Sequence, residues 1–432
     1  MKTLFSRGFS YLILGIQHVF TMNIYVAPLI LASLLASDAE QTARLIQMTF
    51  LASGIATLIQ VSIGIRLPVM QGPSFVPLGA LAAVGKQYGL QAMIGATIPG
   101  ALAIFLLSYP FRLLGRLAKT WISPLVGGTI TLVIGVSLIP LALHTISTLH
   151  GSASVNFSVA GLTALLLTLL AHLRLNSPRL RGFMQSSSVI LALLFGTTLM
   201  AVWGTVEFSA VHQAPWFSMP QGLPWGTPEF RLEPVLLVST IYAVILVETI
   251  GTWYVVGAVM NRPMDETLIN RGGLGQGLGC LAAALVGGTP VAGYSSNAGI
   301  LSITRNFSRW VAVATGVLLV TIGMIPKLIH FMASIPTQAM LGVFIAACGV
   351  IAYNGFLLVQ RFGSSLRTQV VAGVPVLLSV ITSIIPHAWI AELPASIAPF
   401  LSSGICVGAV STILLGRFWP EPAIAATETV VA

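Results

Sequence analysis

The chain has 432 residues, of which 56% are hydrophobic and 7% are charged, and its mean hydropathy is +0.94. A soluble domain carries about 25% charged residues, so this composition excludes a soluble protein and predicts an integral membrane protein embedded in the lipid bilayer. The net charge of +9 would suit a nucleic-acid-binding protein, but the positions of the basic residues, given below, predict membrane topology and no nucleic-acid partner.

Fourteen apolar segments follow one another along the chain. A membrane-spanning helix needs about 20 apolar residues, and no cleavable signal peptide is evident because the first run is too long for one. The third and tenth segments are too short and too interrupted to cross as ordinary helices, which predicts two broken half-helices with short extended stretches. The segments lie near 9–33, 46–65, 73–87, 91–110, 123–143, 157–174, 187–206, 234–260, 272–287, 295–308, 310–326, 336–358, 367–386 and 395–416.

The basic residues are distributed unevenly between the two sides of the predicted membrane. With the N-terminus placed in the cytoplasm, sixteen of the 20 Lys and Arg residues fall in cytoplasmic gaps, and only Arg44, Lys86, Arg231 and Lys327 fall outside. This is the asymmetry of the positive-inside rule. The pattern predicts a multi-pass protein of the cytoplasmic (inner) membrane with both termini in the cytoplasm.

An internal repeat relates the two halves of the chain. Seven segments per half is an odd number, so the second half must be inserted upside down, as an inverted repeat with its two breaks facing each other near the midplane. The features that recur in order are the breaks at Gly72–Phe75 and Gly293–Ser296, the polar residues His18 and Glu248, and the prolines Pro124 and Pro336.

The stretch 287–309 contains the second break. Three glycines and a proline within Gly287–Gly293 interrupt regular structure. Such backbone is tolerated at membrane depth only where protein or a water-filled cavity shelters it, and it is the best sequence pointer to a transporter's binding site. The sequence therefore predicts a substrate site here, where the break is followed by the polar residues Tyr294, Ser295, Ser296 and Asn297.

Glu248 is the one acidic residue placed in the middle of an apolar segment. A carboxyl group there costs about 2.5–3.5 kcal/mol on insertion scales and is a functional hypothesis by default. The alternative is a protonated Glu248 bonded to a neighbouring helix. An ionised Glu248 would accept hydrogen bonds from substrate N–H groups, and a protonated one would donate.

Other polar and aromatic residues near the breaks are candidate site residues, and each has an alternative role in packing or in bonding the backbone. His18 either takes part in the site or is a packing residue on its helix. Asn297 and Gln276 would bond backbone that has no helical partner. Phe75 and Tyr294, one at each break, would stack on a flat ring or simply pack. The three cysteines, Cys280, Cys348 and Cys406, lack CxxC spacing and predict buried apolar side chains, with no disulfide, metal or cofactor.

Ser296–Arg305 resembles the signature of the nucleobase–ascorbate transporter (nucleobase–cation symporter-2) family, Gln/Glu-Asn-x-Gly-x-x-x-x-Thr-Arg/Lys/Gly. Within it, Asn297, Gly299, Thr304 and Arg305 match the pattern. Four further motifs match in order, and the resemblance covers the whole membrane region. These motifs are Gly15-Ile16-Gln17-His18, Leu67-Pro68 to Gly72-Pro73-Ser74-Phe75, Glu248-Thr249-Ile250-Gly251 and Asn270-Arg271-Gly272.

The resemblance implies an all-α fold of 14 transmembrane segments in two inverted repeats of seven. A core domain (1–118 and 234–326) would hold the substrate, and a gate domain (119–233 and 327–432, with the cytoplasmic tail) would form homodimer contacts. Family activity is proton-coupled, sometimes sodium-coupled, uptake of xanthine, urate, uracil or related bases. Base contacts are then expected from Glu248, Phe75, Ser74 and the residues 294–297, and coupling from Glu248, His18, Thr252 and Gln276.

Three positions depart from the family pattern. Ser296 stands where the signature begins with Gln or Glu, Thr252 stands where Asp or His is frequent, and Gln276 stands where Asp is frequent. A shorter side chain at Ser296 enlarges the pocket or admits water. The substrate expected is a nucleobase, with a xanthine- or urate-like purine slightly preferred over uracil.

Three alternatives stand beside a proton-coupled symporter. A passive facilitator or channel is motivated by the lack of a second carboxylate. An inorganic or organic anion transporter could have the same architecture of two inverted repeats of seven segments. A membrane enzyme is the weakest alternative, because no nucleophile–base pair or metal-ligand spacing accompanies the single buried acid.

Overall fold

The structure is a computed structural model that describes residues 2–149, 151–172, 177, 184, 188–202, 209–294, 297, 301, 304–385, 401 and 403–419. Nearly all of its regular elements are helices, and the two short strands are the exceptions. The elements are α1 Lys2–Met22, α2 Val26–Leu35, α3 Ala39–Ser62, β1 Gln71–Pro73, α4 Leu78–Ser108, α5 Leu114–Trp121, α6 Pro124–Thr148, α7 Ala153–His172, α8 Ser188–Val202, α9 Ser209–Gln213, α10 Leu232–Val259, α11 Glu266–Val286, β2 Val291–Gly293, α12 Arg309–Gly323, α13 Pro326–Ala333, α14 Thr337–Gln360, α15 Leu366–Ile384 and α16 Gly404–Phe418.

Local sequence sets the ends of several helices. Asp38 and Asp265 precede α3 and α11, and each side chain accepts a hydrogen bond from a first-turn backbone N–H. Ser123 does the same for α6, with Pro124 in the first turn. Gly287 ends α11 in the left-handed conformation, with φ of 78°, a position that favours glycine.

The predicted segments and the observed elements correspond closely but not completely. The first predicted segment, 9–33, is two helices, because Asn23 adopts φ of 49° and breaks the run between α1 and α2. The third and fourth merge into α4, which bends at Gly89 with φ of 87°. The break at residues 72–75 is the extended stretch β1. In the tenth segment Asn297, Leu301 and Thr304 are helical, while Ser295, Ser296 and Gly299 lie outside the described residues.

Judged by helix length and hydropathy, the structure has fewer membrane spans among its described residues than the fourteen predicted. Among the described residues, six helices are long and apolar enough to cross a membrane, or up to seven if α12 and α13, bent by 80° at their junction, form one span. Shorter apolar helices of 10–17 residues include α2, α8 and α16. The chain is therefore a multi-pass membrane protein, and fourteen spans are not established.

The helices pack in two groups. In one, α3 and α4 contact α11, α3 contacts α12, and α4 contacts α10; in the other, α6 and α7 contact α14, and α15 contacts α16. Contacts of α10 with α6 and of α2 with α14 join the groups. Glycines allow close approach of backbones, as in other membrane helix pairs. At Gly54 of α3, a side chain would lie 2.7 Å from the carbonyl oxygen of Gly316 on α12.

The ion pairs found among the described residues join residues that the predicted topology places on the same side of the membrane. Arg116 and Lys119 both lie 3.9 Å from Glu266, a set predicted to be cytoplasmic. The remaining pairs found among the described residues belong to the predicted outer side: Arg44–Glu40, His330–Glu40 and Arg231–Glu229. The helix packing and the charge pattern thus agree on which loops share a side.

We predict that Gly54→Ala destabilises the protein by about 1–3 kcal/mol through overpacking. The new methyl group would meet backbone atoms, Gly316 O at 2.7 Å and Val320 N at 2.8 Å, which cannot rotate away. Thermal unfolding of the purified protein in detergent measures the effect. Gly161→Ala on α7 is the matched control, because nothing lies within 4 Å of its added methyl. Equal Tm values for the two variants would contradict the close α3–α12 contact.

Candidate functional site

The two breaks pair with each other in the centre of the protein. β1 and β2 form an antiparallel ladder in which Gln71 faces Gly293, Gly72 faces Ala292 and Pro73 faces Val291. Backbone bonds continue the pairing on both sides, from Ser74 N to Pro290 O at 2.9 Å and from Tyr294 N to Met70 O at 3.0 Å. All six strand residues are buried. The predicted facing of the two breaks is confirmed for the residues described.

Glu248 of α10 lies beside the end of β1. The Ser74 hydroxyl donates to Glu248 Oε2 at 2.9 Å and accepts from Val76 N at 3.2 Å. Glu248 is only partly buried, unlike its helix neighbours Val247 and Thr249. The carboxyl group therefore has one described hydrogen-bond donor, fewer than the bonds that its two oxygens can accept.

Threonines on α10 hold β2 in place. Thr249 Oγ1 accepts from Gly293 N at 3.3 Å, and Thr252 Oγ1 donates to Gly293 O at 3.0 Å. On the other strand, Thr57 of α3 accepts from Gln71 N at 2.9 Å and lies 3.2 Å from Gln71 O. Short side chains therefore satisfy strand backbone that a continuous helix would satisfy by itself.

Gln276 and Cys280 contact the same strand from α11. Gln276 Nε2 donates to Val291 O and lies 3.2 Å from Cys280 Sγ, which is itself 3.4 Å from Val291 O. Gln276 thus bonds unpaired backbone, as the sequence predicted. The three cysteines are free and buried, as predicted, but Cys280 also takes part in this polar cluster.

His18 of α1 contacts Asn297, the invariant amide of the resembled signature. His18 Nδ1 and Asn297 Oδ1 are 3.1 Å apart, and both side chains are about 1% exposed. Asn297 N donates to Tyr294 O at 3.3 Å, and its Nδ2 has no partner among the described residues. The contact couples the first helix to the second break, whereas no described hydrogen bond joins His18 directly to Glu248.

The two aromatic residues at the breaks have different surroundings. The Tyr294 ring lies against Gly72, where a methyl group would be 2.5 Å from Cε2, and its hydroxyl donates to Pro73 O at 3.0 Å. Tyr294 therefore packs the strand pair together. Phe75 stacks on Phe344 of α14, with ring centroids 5.6 Å apart and planes inclined by 29°. Phe75 thus connects the site to the second helix group.

Several predicted residues lie away from this centre or outside the described residues. Ser295, Ser296 and Gly299 are outside them. Thr304 accepts from Asn306 N at 3.5 Å, and Arg305 N donates to Leu301 O at 3.0 Å, both in backbone-ordering roles. Gln17 is half-buried next to His18 on α1 and has a polar partner.

Sequence reasoning missed Thr57, Thr249 and Phe344. The first two carry a weak signal, since each is a hydroxyl in an apolar helix near a polar residue, Gln60 and Glu248 respectively. Phe344 carries none, because its importance arises only from the ring it contacts. The described residues contain no group of three metal-ligating side chains. The arrangement brings one carboxyl group, strand backbone and the Phe75–Phe344 pair close together.

Comparison with known proteins places the chain in a permease family. The model of the family described as "Permease family" matches residues 9–414. The uric acid permease PucJ of Bacillus subtilis (strain 168) is 30% identical over 425 residues, covering 96% of this chain and 93% of the relative. A xanthine permease of the same organism is 29% identical, covering 93% and 92%.

A solved structure shares the fold at low sequence identity. The transmembrane domain of a cyanobacterium bicarbonate transporter, BicA, aligns with a TM-score of 0.60, covering 95% of this chain and 97% of that chain. Its sequence identity is 14%, so the similarity shows the inverted-repeat fold alone.

We predict that Thr252→Val destabilises the protein by about 1–3 kcal/mol, because it leaves the buried Gly293 carbonyl without its side-chain donor. Thr240→Val on the same helix is the control, because that hydroxyl bonds only its own helix, at Leu236 O. Chemical or thermal unfolding in detergent compares the two isosteric changes. A Thr252→Val protein as stable as Thr240→Val would show that the bond contributes nothing to β2.

Proposed function

This chain belongs to the nucleobase–ascorbate transporter family, and from that premise we propose that it is a secondary active transporter importing a nucleobase. The observation that carries the proposal is the partly exposed carboxyl group of Glu248, held by Ser74 at the paired breaks. In a hydrocarbon environment an acidic group is retained where it has a functional role. A purine such as xanthine or urate is favoured over uracil, in line with the names of the similar permeases.

The base lies between the two breaks, in the proposed binding mode. Glu248 accepts hydrogen bonds from ring N–H groups through the carboxyl surface that Ser74 leaves free. The backbone N–H of Phe75, which has no partner among the described residues, donates to a ring carbonyl oxygen. Ser296, the second donor expected from the sequence, lies outside the described residues. α4 begins three residues beyond Phe75, so its N-terminal partial positive charge favours a carbonyl oxygen or an anionic purine.

Phe75 supplies the flat face on which the base stacks. Two stacked contacts, one on each face of a base, need about 7 Å between the flanking rings. The Phe75 and Phe344 centroids are 5.6 Å apart, so a base enters this gap only if α14 moves away from β1. Substrate binding is thereby linked to relative movement of the two helix groups.

We propose that the chain divides into two domains along the lines of the two helix groups. Residues 1–118 and 234–326 would form the core that carries the base, and 119–233 and 327–432 the gate, in a pattern of fourteen segments as two inverted repeats of seven. The family resemblance supports a homodimer formed through the gate. The charge asymmetry supports the inner membrane as its location, with both termini cytoplasmic.

A cation, the proton in the first instance and sodium in the second, drives uptake. Glu248 exchanges the proton, and the His18–Asn297 pair conveys the state of the second break to α1. Thr252 and Gln276 act by positioning β2. The membrane potential would supply about 2.3 kcal/mol per charge per 100 mV.

Two other functions are alternatives to the proposed symporter. A passive facilitator would bind the same base without a coupled proton, which fits the presence of one carboxylate at the site. An anion transporter is favoured by the fold shared with a bicarbonate transporter, but the Glu248 carboxylate repels an inorganic anion placed beside it.

We predict that Glu248→Gln weakens base uptake about ten- to a hundredfold, because hydrogen bonds to a charged group contribute about 1.5–3 kcal/mol. The amide keeps the side-chain size and can still accept from Ser74. Initial rates of labelled xanthine, urate and uracil uptake, scaled to surface protein, measure the change. Glu233→Gln at the start of the same helix is the control, since that carboxylate bonds Tyr88 far from the strands. Unchanged uptake in Glu248→Gln would remove this residue from the mechanism.

We predict that a protonophore abolishes accumulation of the labelled base above its external concentration. A proton symporter loses its driving force when the gradient collapses, while exchange of base at equilibrium continues. Steady-state accumulation in cells expressing the wild-type protein, with and without the protonophore, gives the answer. Accumulation that persists in the protonophore but falls when sodium is replaced would assign sodium as the cation. Equilibration without accumulation would establish the passive facilitator.

A further inference from the structure

A large apolar cavity separates parts of the two helix groups at a distance from the paired strands. Its volume is about 390 Å³, more than twice that of the roughly 150 Å³ apolar cavity that binds benzene in an engineered protein. We name it the α8 crevice. Its walls are Ile16, Val19, Ile24, Tyr25, Phe50, Ile190, Leu193, Leu194, Thr197, Leu318, Ile322, Leu328, Phe331, Met332, Ser334 and Ile335.

The α8 crevice offers almost nothing to a polar ligand. Its two aliphatic hydroxyls bond their own backbone: Thr197 Oγ1 donates to Leu193 O at 2.7 Å, and Ser334 Oγ donates to Phe331 O at 2.8 Å. The Tyr25 hydroxyl donates to Asn23 Oδ1 at 3.5 Å. A buried water needs two to four polar partners, so water has no stable position here. A nucleobase would likewise lose its hydrogen bonds on entering.

The crevice reaches the apolar surface of the protein. Residues at its edge keep substantial exposure: Ile16 is 39% exposed, Leu194 44% and Phe331 39%. Ile16 continues an exposed apolar strip of α1 that includes Leu12 and Ile13, at 41% and 50%. An apolar space connected to such a surface is continuous with the acyl-chain region of the bilayer.

We propose that the α8 crevice binds an acyl chain of a membrane phospholipid. The chemistry of the walls selects a flexible hydrocarbon, and the open edge gives it a route from the bilayer without desolvation of any polar group. An α-helix of another protein, about 10 Å across, is too wide for a space of this volume. Unfilled, the walls would lose dispersion contacts on one side, so a chain that fills the space stabilises the packing around it.

The walls of the crevice come from both helix groups. α8, which packs on α7 and α14, forms one wall with Ile190–Thr197. α1, α3 and α12 form the other wall, together with α13, which packs on α3. A chain bound here lies between bodies that change their separation if they move. The lipid is therefore a structural wedge that resists closure of α8 onto α12. Binding itself does not depend on which solute the protein transports, so failure of the nucleobase proposal would leave this one standing.

Native mass spectrometry of the protein, purified in a mild detergent, tests the proposal. We expect the wild-type protein to retain one phospholipid. Leu193→Phe and Leu318→Phe, which narrow the crevice from opposite walls, should weaken retention about tenfold each, because displacing two methylenes of the chain has about that effect. Leu165→Phe on α7 is the matched control: this residue is 54% exposed, lines no part of the crevice, and should retain the lipid as the wild type does.

A second measurement does not depend on narrowing the crevice. Ile16→Trp at the edge and Leu165→Trp on α7 are each mixed with a limiting amount of phospholipid carrying brominated chains, which quench nearby tryptophan fluorescence. The wild type measures the quenching of the eight native tryptophans, and its signal is subtracted from that of each variant. We expect the remaining signal to be quenched more strongly for position 16 than for position 165. The proposal is overturned if the wild type retains only detergent, if Leu165→Phe loses lipid as readily as the crevice variants, or if the two tryptophans are quenched equally.

Discussion

The pairing of β1 with β2 is the interaction on which the rest of this structure depends. Each strand interrupts an apolar segment, and inside a bilayer an unpaired backbone group costs several kcal/mol. When the two breaks pair, each supplies hydrogen-bond partners for the backbone of the other. The pairing comprises three facing residue pairs and the flanking backbone bonds of Ser74 and Tyr294. Neither half of the chain can form its break alone, so the site exists only after the two halves have assembled.

The side chains around the strands divide into those that serve the backbone and those left for a ligand. Thr57, Thr249, Thr252 and Gln276 bond strand N–H or C=O groups, and Tyr294 closes against Gly72. These bonds replace the hydrogen bonds of a helix with fixed, short ones. Glu248 differs because its described partner is a single hydroxyl and its surface is only partly covered. A frame of satisfied backbone thus surrounds one partly buried acid beside the Phe75–Phe344 contact.

Polar and apolar spaces in this protein have opposite characters. Around the strands, carboxyl, amide and hydroxyl groups converge, and the Phe75–Phe344 contact spans the two helix groups. In the α8 crevice the hydroxyls are turned to their own backbone and hydrocarbon forms the walls. Both spaces lie where the two helix groups meet. Movement between the groups would alter both at once, so the proposed lipid and the proposed base would respond to the same movement.

The sequence by itself determined the membrane class, the order of the apolar segments, the two breaks and Glu248 as the acid within an apolar segment, because hydropathy and broken backbone are local properties of the chain. It also identified the family through short ordered motifs. Only the tertiary structure decided the strand register, the break at Asn23, the His18–Asn297 contact and the ring that faces Phe75. His18 and Asn297 are 279 positions apart, and no periodicity records contacts at that separation. Such contacts form when whole helices pack together. That packing sets the distances between side chains that are remote in sequence, and the local sequence around each residue does not determine them.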